Sequence, residues 1–328
     1  MKICVFGAGA VGSNVAVRLA SAGVGEVSIV ARGPHLAAIR SHGLSLRHID
    51  GEQWHAHFDH ATDDPATLPP QDIVLVALKA ASVPAQADAL RQLLTPDGVV
   101  AFLSNGIPWW WNYGWNKGDG ALPLLDPDGA LWNRLGPERA LGTVIYSANE
   151  VEAPGRALHR GVNRYIFGEP DGRLPGRAGR LAELFSSAGL GGETTADIRY
   201  EIWRKLLRNA VGSPFCALTR LASAHCSQIP GLPDIQRGLA LEVANIARTL
   251  GSPITDEHAL GAVNTQLASN GRPSMLQDVL LGRRIEAEAL LGQPQQFARE
   301  LGIASPYLDT VVGLLRGLDQ ALALGVQK

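Results

Sequence analysis

Residues 2–12 read KICVFGAGAVG, a short apolar strand followed by a glycine-rich turn and the first turn of a helix. Gly7 permits the tight turn, Gly9 lets backbone N–H groups approach a pyrophosphate, and Gly12 lets the helix pack closely on the strand. The helix start then presents free N–H groups and the positive end of its dipole to an anion. The candidate residues for binding a dinucleotide are therefore Gly7, Ala8, Gly9, Ala10, Val11 and Gly12.

The residues after the turn supply the βαβ context that this motif requires. A helix is predicted over residues 13–22, and Glu26–Val30 is a second strand. An ordinary glycine-rich turn is one alternative, and a secretory signal is another because Lys2 precedes an apolar stretch. Glycines interrupt that stretch and a strand follows at once, so the dinucleotide interpretation is favoured.

The end of the second strand indicates which dinucleotide binds. An NAD site usually has Asp or Glu there to bind the ribose hydroxyls. This chain has Arg32, with no carboxylate beside it. A guanidinium pairs with a 2′-phosphate through two charged hydrogen bonds, so NADP(H) is favoured over NAD(H). The alternative is a solvated surface arginine.

Composition narrows the class of protein. The chain has 328 residues, a formal net charge of −2 and 46% hydrophobic residues, so we expect two domains and no basic surface for nucleic acid or an anionic membrane. No apolar run is long enough to span a bilayer. The three unclustered cysteines suggest reduced thiols in a cytoplasmic protein. His55, His57 and His60 suggest a solvated hairpin rather than a metal site, and no metal is expected.

Periodicity changes near residue 192. Before it, buried strands are predicted at residues 71–78, 98–103 and 141–146, one hairpin at 43–57 and another at 156–168. After it, helical periodicity dominates. The sequence therefore predicts an α/β Rossmann-type domain over residues 1–192 and an all-α domain over residues 193–328. The long apolar-rich helices predicted at 235–250 and 307–324 make a homodimer through the second domain a further expectation.

Two polar residues follow neighbouring strands directly. Lys79 follows the strand at 71–78, and Asn105 follows the strand at 98–103. In an open α/β sheet, ligands bind outside the carboxyl ends of the strands. Lys79 is therefore a candidate to hold a cofactor phosphate or a substrate carboxylate, and Asn105 offers both a donor and an acceptor. The alternative is a surface lysine and a turn asparagine.

A predicted helix at 196–211 carries a second set of polar candidate residues. Lys205 and Asn209 are four residues apart and share one face, and Ser213 continues that line. A lysine facing a desolvated interior would have a lowered pKa, in the range useful for donating a proton. Spacing alone favours the alternative, a lysine whose ammonium reaches water. Further on, Ser274 and Asp278 suit capping groups, and Glu286 begins another predicted helix.

Taken together, these segments resemble the ketopantoate reductase (2-dehydropantoate 2-reductase) family over essentially the whole chain. The segments that carry the resemblance, in order, are GAGAVGS at 7–13, Arg32, LKA at 78–80, SNGI at 104–107, WRKLLRNA at 203–210, SMLQD at 274–278 and GRRIE at 282–286.

The resemblance implies reduction of ketopantoate to pantoate by NADPH, within pantothenate and coenzyme A biosynthesis. It implies that Lys205 is the general acid and that Asn209, Asn105 and Ser274 bind substrate. Glu286 would accept a hydrogen bond from a substrate hydroxyl and lie in the catalytic and cofactor site, and Lys79 would bridge cofactor and substrate.

Two departures from the family pattern concern the substrate. The family helix has a second asparagine where this chain has Ser213, and the sequence WWWNYGW at 109–115 follows the Asn105 loop. That tryptophan-rich segment suggests three alternatives, namely a lid, the wall of a larger pocket, or packing on the sheet or a partner subunit. Reduction of a different 2-keto acid or a derived imine is therefore a second hypothesis, and an NADP(H)-sensing protein without turnover is a third.

Overall fold

The computed structural model describes residues 1–172 and 176–326. The chain forms two compact units: Met1–Ser104 with Pro108–Ile198, and Asn105–Ile107 with Arg199–Lys328. The first unit combines a sheet with helices, and the second is helical throughout its described part. The predicted fold class, a Rossmann-type α/β domain followed by an all-α domain, is confirmed.

Ten strands of the described chain form one mixed sheet in the N-terminal unit. The strands are Lys2–Phe6 (β1), Glu26–Val30 (β2), Leu44–His48 (β3), Gln53–Ala56 (β4), Ala61–Thr62 (β5), Gln71–Val76 (β6), Leu94–Phe102 (β7), Ala140–Ala153 (β8), Arg156–Gly168 (β9) and Gly192–Thr194 (β10). Their order is β4-β3-β9-β8-β7-β6-β1-β2-β5, and β10 pairs with β9.

The half of this sheet that contains β1, β2, β6 and β7 is parallel. β1 lies between β2 and β6, and β7 continues the parallel pairing beyond β6. Apart from Lys2, β1 is buried, as expected for a strand covered on both faces. The carboxyl ends of β1, β2 and β6 consequently lie side by side, which is where an open α/β sheet binds ligands.

Helices connect these strands. They are Ala10–Ser21 (α1), Gly33–His42 (α2), Ala87–Leu93 (α3) and Arg177–Ser187 (α4). The sequence analysis missed α2 because Gly33 and Pro34 resemble a loop. Proline is in fact favoured in the first turn of a helix, where its missing N–H has no intrahelical partner to lose.

The hairpin predicted within residues 156–168 is wrong. These residues form one strand, β9, which pairs antiparallel with β8. Tyr146 faces Arg164 and Ala148 faces Arg160, so residues 161–163 lie opposite Ser147 alone. Gly161 has a φ of +91°. The glycine therefore marks a bulge within a long strand and not a hairpin turn.

The C-terminal unit is built from seven helices within its described part. They are Ile198–Thr219 (α5), Ser223–Cys226 (α6), Leu232–Thr249 (α7), Asp256–Leu267 (α8), Ser274–Leu280 (α9), Gln293–Glu300 (α10) and Pro306–Leu324 (α11). A π-helical turn at Glu288–Gly292 leads into α10. Within the described residues, no helix has the length and apolar character needed to cross a bilayer. All three cysteines are buried and form no disulfide.

Candidate active site

The glycine-rich turn has the geometry that its sequence predicts. Gly7 has a φ of +109°, and a Cβ there would lie 2.8 Å from the Leu78 side chain. At Gly12 a Cβ would lie 1.9 Å from the Gly7 carbonyl oxygen, so only glycine allows this packing. At Gly9, in contrast, the nearest atom would be the Ala77 carbonyl oxygen, 3.9 Å away. The space beside Gly9 is thus open to a ligand.

This turn lies beside the other two cofactor candidates of the N-terminal unit. The Gly7 N–H donates to the Val30 carbonyl oxygen at 2.9 Å, two residues before Arg32. Arg32 is exposed and occupies the N-cap position of α2. The exposed Lys79 follows Ala77 and Leu78, which contact the turn. The structure therefore brings the glycine turn, Arg32 and Lys79 to one edge of the sheet.

Sequence reasoning missed a histidine that supports this turn. The Gly155 N–H donates to Nδ1 of His35 at 3.1 Å, which requires that the ring proton be on Nε2. Nε2 then donates to Ser13 Oγ at 3.4 Å, and Ser13 donates to the Ala8 carbonyl oxygen at 3.0 Å. Burial lowers the pKa of His35, which keeps the ring neutral as this arrangement needs. The only sequence signal was a histidine shortly after Arg32.

Helix α5 carries the second group of candidates in the C-terminal unit. Lys205, Asn209 and Ser213 all lie within α5, at a spacing that places them on one face. The helix was predicted to end at Val211 but continues to Thr219, with Pro214 inside it. At Gly212 a Cβ would lie 2.5 Å from the Gln266 side chain, so close packing with α8 holds this stretch in the helix. Ser213 is therefore a buried helical residue.

Lys205 is half-buried. Burial, together with the smaller effect of the nearby Arg208 charge, lowers the pKa of its ammonium to about 7. The interpretation favoured by spacing alone, an ammonium fully in water, does not account for this environment. At neutral pH such a lysine is present in both charged and neutral forms, which suits a proton donor.

The Asn105 segment belongs to the same unit and packs against the turn that follows Glu286. The Ile107 N–H donates to the Ala289 carbonyl oxygen at 2.8 Å. Gly106 has a φ of +90°, and a Cβ there would lie 2.3 Å from that same oxygen. Asn105 is thereby held beside the π-helical turn that follows Glu286.

Glu286 does not start a helix, contrary to the prediction. It lies in an irregular segment because Asp319 of α11 accepts hydrogen bonds from the Ile285 N–H at 2.9 Å and from Nε of Arg284 at 2.8 Å. These contacts hold the preceding residues out of a helical turn, and Glu286 itself is half-buried.

Ser274 is the first residue of α9 and not its cap. The N-cap position is Pro273, and no side chain caps the helix. Ser274 is exposed, whereas Asp278 is buried. Leu276, two residues further on, belongs to the same buried cluster as Cys216 near the C-terminal end of α5.

The tryptophan-rich segment is packed within the N-terminal unit. Trp109, Trp110 and Trp111 are at most 5% exposed. The Trp109 ring meets Phe102 of β7 edge to face at 5.6 Å, and a Cβ at Gly142 of β8 would lie 3.0 Å from Trp110. Of the three alternatives, packing on the sheet therefore accounts for these side chains.

Two family models match the chain. Residues 3–172 match the model described as ketopantoate reductase PanE/ApbA, and residues 197–319 match the C-terminal model of the same family. The chain belongs to the ketopantoate reductase family. The predicted family is thereby confirmed, and so is the prediction that the chain is an oxidoreductase.

Individual members are similar over nearly their whole length. The chain is 40% identical to a 2-dehydropantoate 2-reductase of Mesorhizobium japonicum, with 97% of this chain and 98% of that protein covered. A structure from Geobacter metallireducens GS-15, also named 2-dehydropantoate 2-reductase, is 27% identical with a TM-score of 0.84, covering 97% and 99% of the two chains.

A solved structure with a different enzyme name has a similar fold. A D-mandelate dehydrogenase solved with NADH and anilino(oxo)acetate has a TM-score of 0.84 at 20% identity, with 98% of this chain and 100% of that chain covered. Members of the ketopantoate reductase family are NAD(P)-dependent oxidoreductases.

Proposed function

We propose that this chain reduces 2-dehydropantoate (ketopantoate) to pantoate with NADPH, in pantothenate and coenzyme A biosynthesis. The observation that carries the proposal is Lys205, a half-buried lysine whose pKa is about 7, on the α5 face that includes Asn209. The full-length similarity to named 2-dehydropantoate 2-reductases supports the choice of substrate.

NADP(H) is the proposed cofactor. The open space at Gly9, the uncapped start of α1 and the nearby Lys79 fit a pyrophosphate, and Arg32 fits a 2′-phosphate. Gly7, Ala8, Gly9, Ala10, Val11 and Gly12 would line it. When bound, the cofactor supplies the hydride that reduces the keto carbon.

Lys205 is the proposed general acid. Its ammonium stabilises the negative charge that develops on the carbonyl oxygen and then gives that oxygen its proton. The neutral amine regains a proton from water before the next turnover. A pKa near 7 makes both steps accessible at neutral pH.

The remaining candidates bind and orient the substrate. Asn209 and Asn105 offer amide donors and acceptors, and Ser274 donates to the substrate carboxylate. Glu286 accepts from a substrate hydroxyl and acts with Lys205 in the catalytic group, while Lys79 contacts both cofactor and substrate. In this scheme residues 1–192 form the cofactor-binding domain and also supply Lys79 and Asn105, and residues 193–328 supply the other substrate-binding residues.

A homodimer through the C-terminal helices accompanies this proposal. Leu314 of α11 is 55% exposed and Leu324 is 70% exposed, which gives that helix an apolar outer surface. Sedimentation should give about twice the chain mass of 34.8 kDa. The mass of a single chain at working concentrations would contradict the dimer.

The test is NADPH oxidation by the purified chain with ketopantoate beside a panel of bulkier and aromatic 2-keto acids. We expect ketopantoate to be the preferred substrate and Lys205→Ala to abolish most turnover. Preference for another acid would support the second candidate, which is favoured by Ser213, a shorter side chain than the family asparagine. Full activity in Lys205→Ala would contradict the mechanism, and NADPH binding without turnover of any acid would indicate a sensing protein.

A further inference from the structure

A second cleft lies in the N-terminal unit at the other end of α1 from the glycine-rich turn. Its volume is about 460 Å³, and it is lined by the β3–β4 hairpin, the β9 bulge at residues 161–163 and the residues that follow α4. Arg18 on its wall is nine residues beyond Gly9, roughly 13 Å along the helix axis at 1.5 Å per residue. The proposed reaction uses none of its lining residues.

Arg18 gives this cleft a positively charged wall. Its guanidinium lies 3.8 Å from the centre of the Trp54 ring, Nε donates to Asn14 Oδ1 at 3.2 Å, and Nη1 donates to the Gly189 carbonyl oxygen at 3.4 Å. These contacts fix the half-buried side chain in place. Within the described residues, Arg18 forms no ion pair and its Nη2 donates no hydrogen bond, so a charged donor is still available.

Carboxylates give the mouth of the cleft the opposite charge. Glu52 is exposed and forms no ion pair with any described residue, whereas Asp50 is 2.6 Å from His48. Burial lowers the pKa of Arg18, and the charge of Glu52, followed by the smaller effects of Tyr165 and Asp50, opposes the shift. The carboxylates thus act on Arg18 across the cleft, but Glu52 does not neutralise it by contact.

His159 adds a buried polar group between these charges. The side chain lines the cleft and is only 1% exposed, yet neither ring nitrogen has a hydrogen-bond partner of good geometry among the described residues. Its ring lies 4.9 Å from that of His48. A buried polar group without a well-placed partner costs free energy, so the His159 ring makes the wall of the cleft more polar than an ordinary buried surface.

Asn163, in the β9 bulge, supplies a further donor. Its side-chain oxygen accepts from Asn14 at 2.9 Å and from Ser147 at 2.6 Å, which leaves its NH₂ group without a partner in the described chain. The bulge places this residue in the cleft wall because three residues of β9 lie opposite one of β8.

We propose that this cleft binds a small zwitterionic amino acid, with its carboxylate at Arg18 and Asn163 and its ammonium at Glu52. A simple anion would be attracted by Arg18 but repelled by Glu52 and Asp50. A simple cation would be attracted by the two carboxylates but repelled by Arg18. A ligand with both charges matches both ends. A metal ion does not fit, because no described group of His, Cys, Asp or Glu side chains is arranged to hold one.

The test is calorimetric titration of the purified full chain with ω-amino acids, from glycine upward, which differ in the separation of their two charges. Acetate and methylammonium are the single-charge probes. We expect saturable binding of at least one amino acid and much weaker binding of either single-charge probe. Glu52→Gln and Arg18→Gln should each lower the affinity by about tenfold or more, the usual cost of losing a charged hydrogen bond.

Arg160→Gln is the matched control, because Arg160 is exposed next to the bulge, pairs with Glu150 and does not line the cleft. It should bind as the wild type does. If Arg18→Gln fails to fold, the affinities of Arg18→Lys and of Glu52→Gln, which changes an exposed residue, still test the proposed binding. The proposal is overturned if no amino acid gives a saturable heat, if acetate binds as tightly, or if Glu52→Gln leaves the affinity unchanged.

Discussion

The glycine-rich turn and helix α5 owe their proposed roles to different features. The turn can hold a ligand because its glycines have no side chains, whereas the role of α5 depends on the neighbours that bury the Lys205 side chain. Gly7 and Gly12 have no room for a Cβ, and Gly9 has room that a ligand can use. Lys205 is an ordinary lysine by sequence, and burial lowers its pKa to about 7. A local motif therefore encodes the first site, and tertiary structure creates the second.

The largest expected effect comes from removing the α5 proton donor. Lys205→Ala should lower kcat for ketopantoate by about 10²- to 10⁴-fold, the usual contribution of general acid catalysis, with NADPH affinity retained. Stopped-flow or steady-state NADPH oxidation measures the rate, and fluorescence titration measures NADPH binding. Arg204→Ala, at an exposed position of the same helix, is the control and should stay near wild-type activity. Equal losses of kcat in the two variants would contradict the role of Lys205 as the general acid.

The glycine turn is tested by two matched substitutions. Gly12→Ala places a Cβ 1.9 Å from the Gly7 carbonyl oxygen, so it should destabilise the fold by about 1–3 kcal/mol, as overpacking does. Gly9→Ala meets no atom closer than 3.9 Å, so it should fold normally and weaken NADPH binding instead. Thermal unfolding and NADPH titration separate the two effects. If Gly9→Ala bound NADPH normally, the turn would not be the pyrophosphate site.

Sequence predicted the turn better than it predicted α5. The bounds of β1 and β2 follow from their apolar residues and the glycines around them, which are local signals. Its position after a strand made Asn105 a candidate, whereas the roles of Lys205 and Glu286 were predicted from the family resemblance. The burial of Lys205 and the contact between Gly106 and Ala289 depend on residues far apart in the chain.

The errors have the same physical origin. A glycine such as Gly161 is equally compatible with a hairpin turn between two strands and with a bulge within one strand. Only the pairing of β9 with β8 distinguishes these two structures. Glu286 is kept out of a helix by Asp319, which lies 33 positions later in the sequence. Such long-range hydrogen bonds leave no local pattern to read.

A smaller effect is expected at the cofactor's 2′-phosphate. Arg32→Gln should raise the KM for NADPH by roughly 10- to 100-fold, the value of a charged hydrogen bond, and leave the KM for NADH nearly unchanged. Stability should not change, because Arg32 is exposed. Steady-state kinetics with the two cofactors measure the ratio. An equal rise in both KM values would show that Arg32 does not select NADPH.

A pH-dependent effect on stability is also expected for Lys205, and the glycine-rich turn has no counterpart to it. The pKa of Lys205 is about 7 in the folded chain and 10.5 when unperturbed, so between these values the unfolded chain binds more protons. The destabilising contribution is therefore complete below pH 7 and declines as pH rises through that window. Lys205→Met should raise Tm at acidic pH and raise it less at alkaline pH. A Tm difference independent of pH would contradict the lowered pKa.

The pH dependence of kcat/KM for ketopantoate reduction is the decisive test of Lys205 as the proton donor, because it reports the ionisation of groups in the free enzyme. If Lys205 donates the proton, the reduction needs its ammonium form. We expect kcat/KM to be highest below pH 7 and to fall as pH rises through about 7, the pKa of Lys205. A profile that stays flat until near the ordinary lysine pKa of about 10.4 would contradict it.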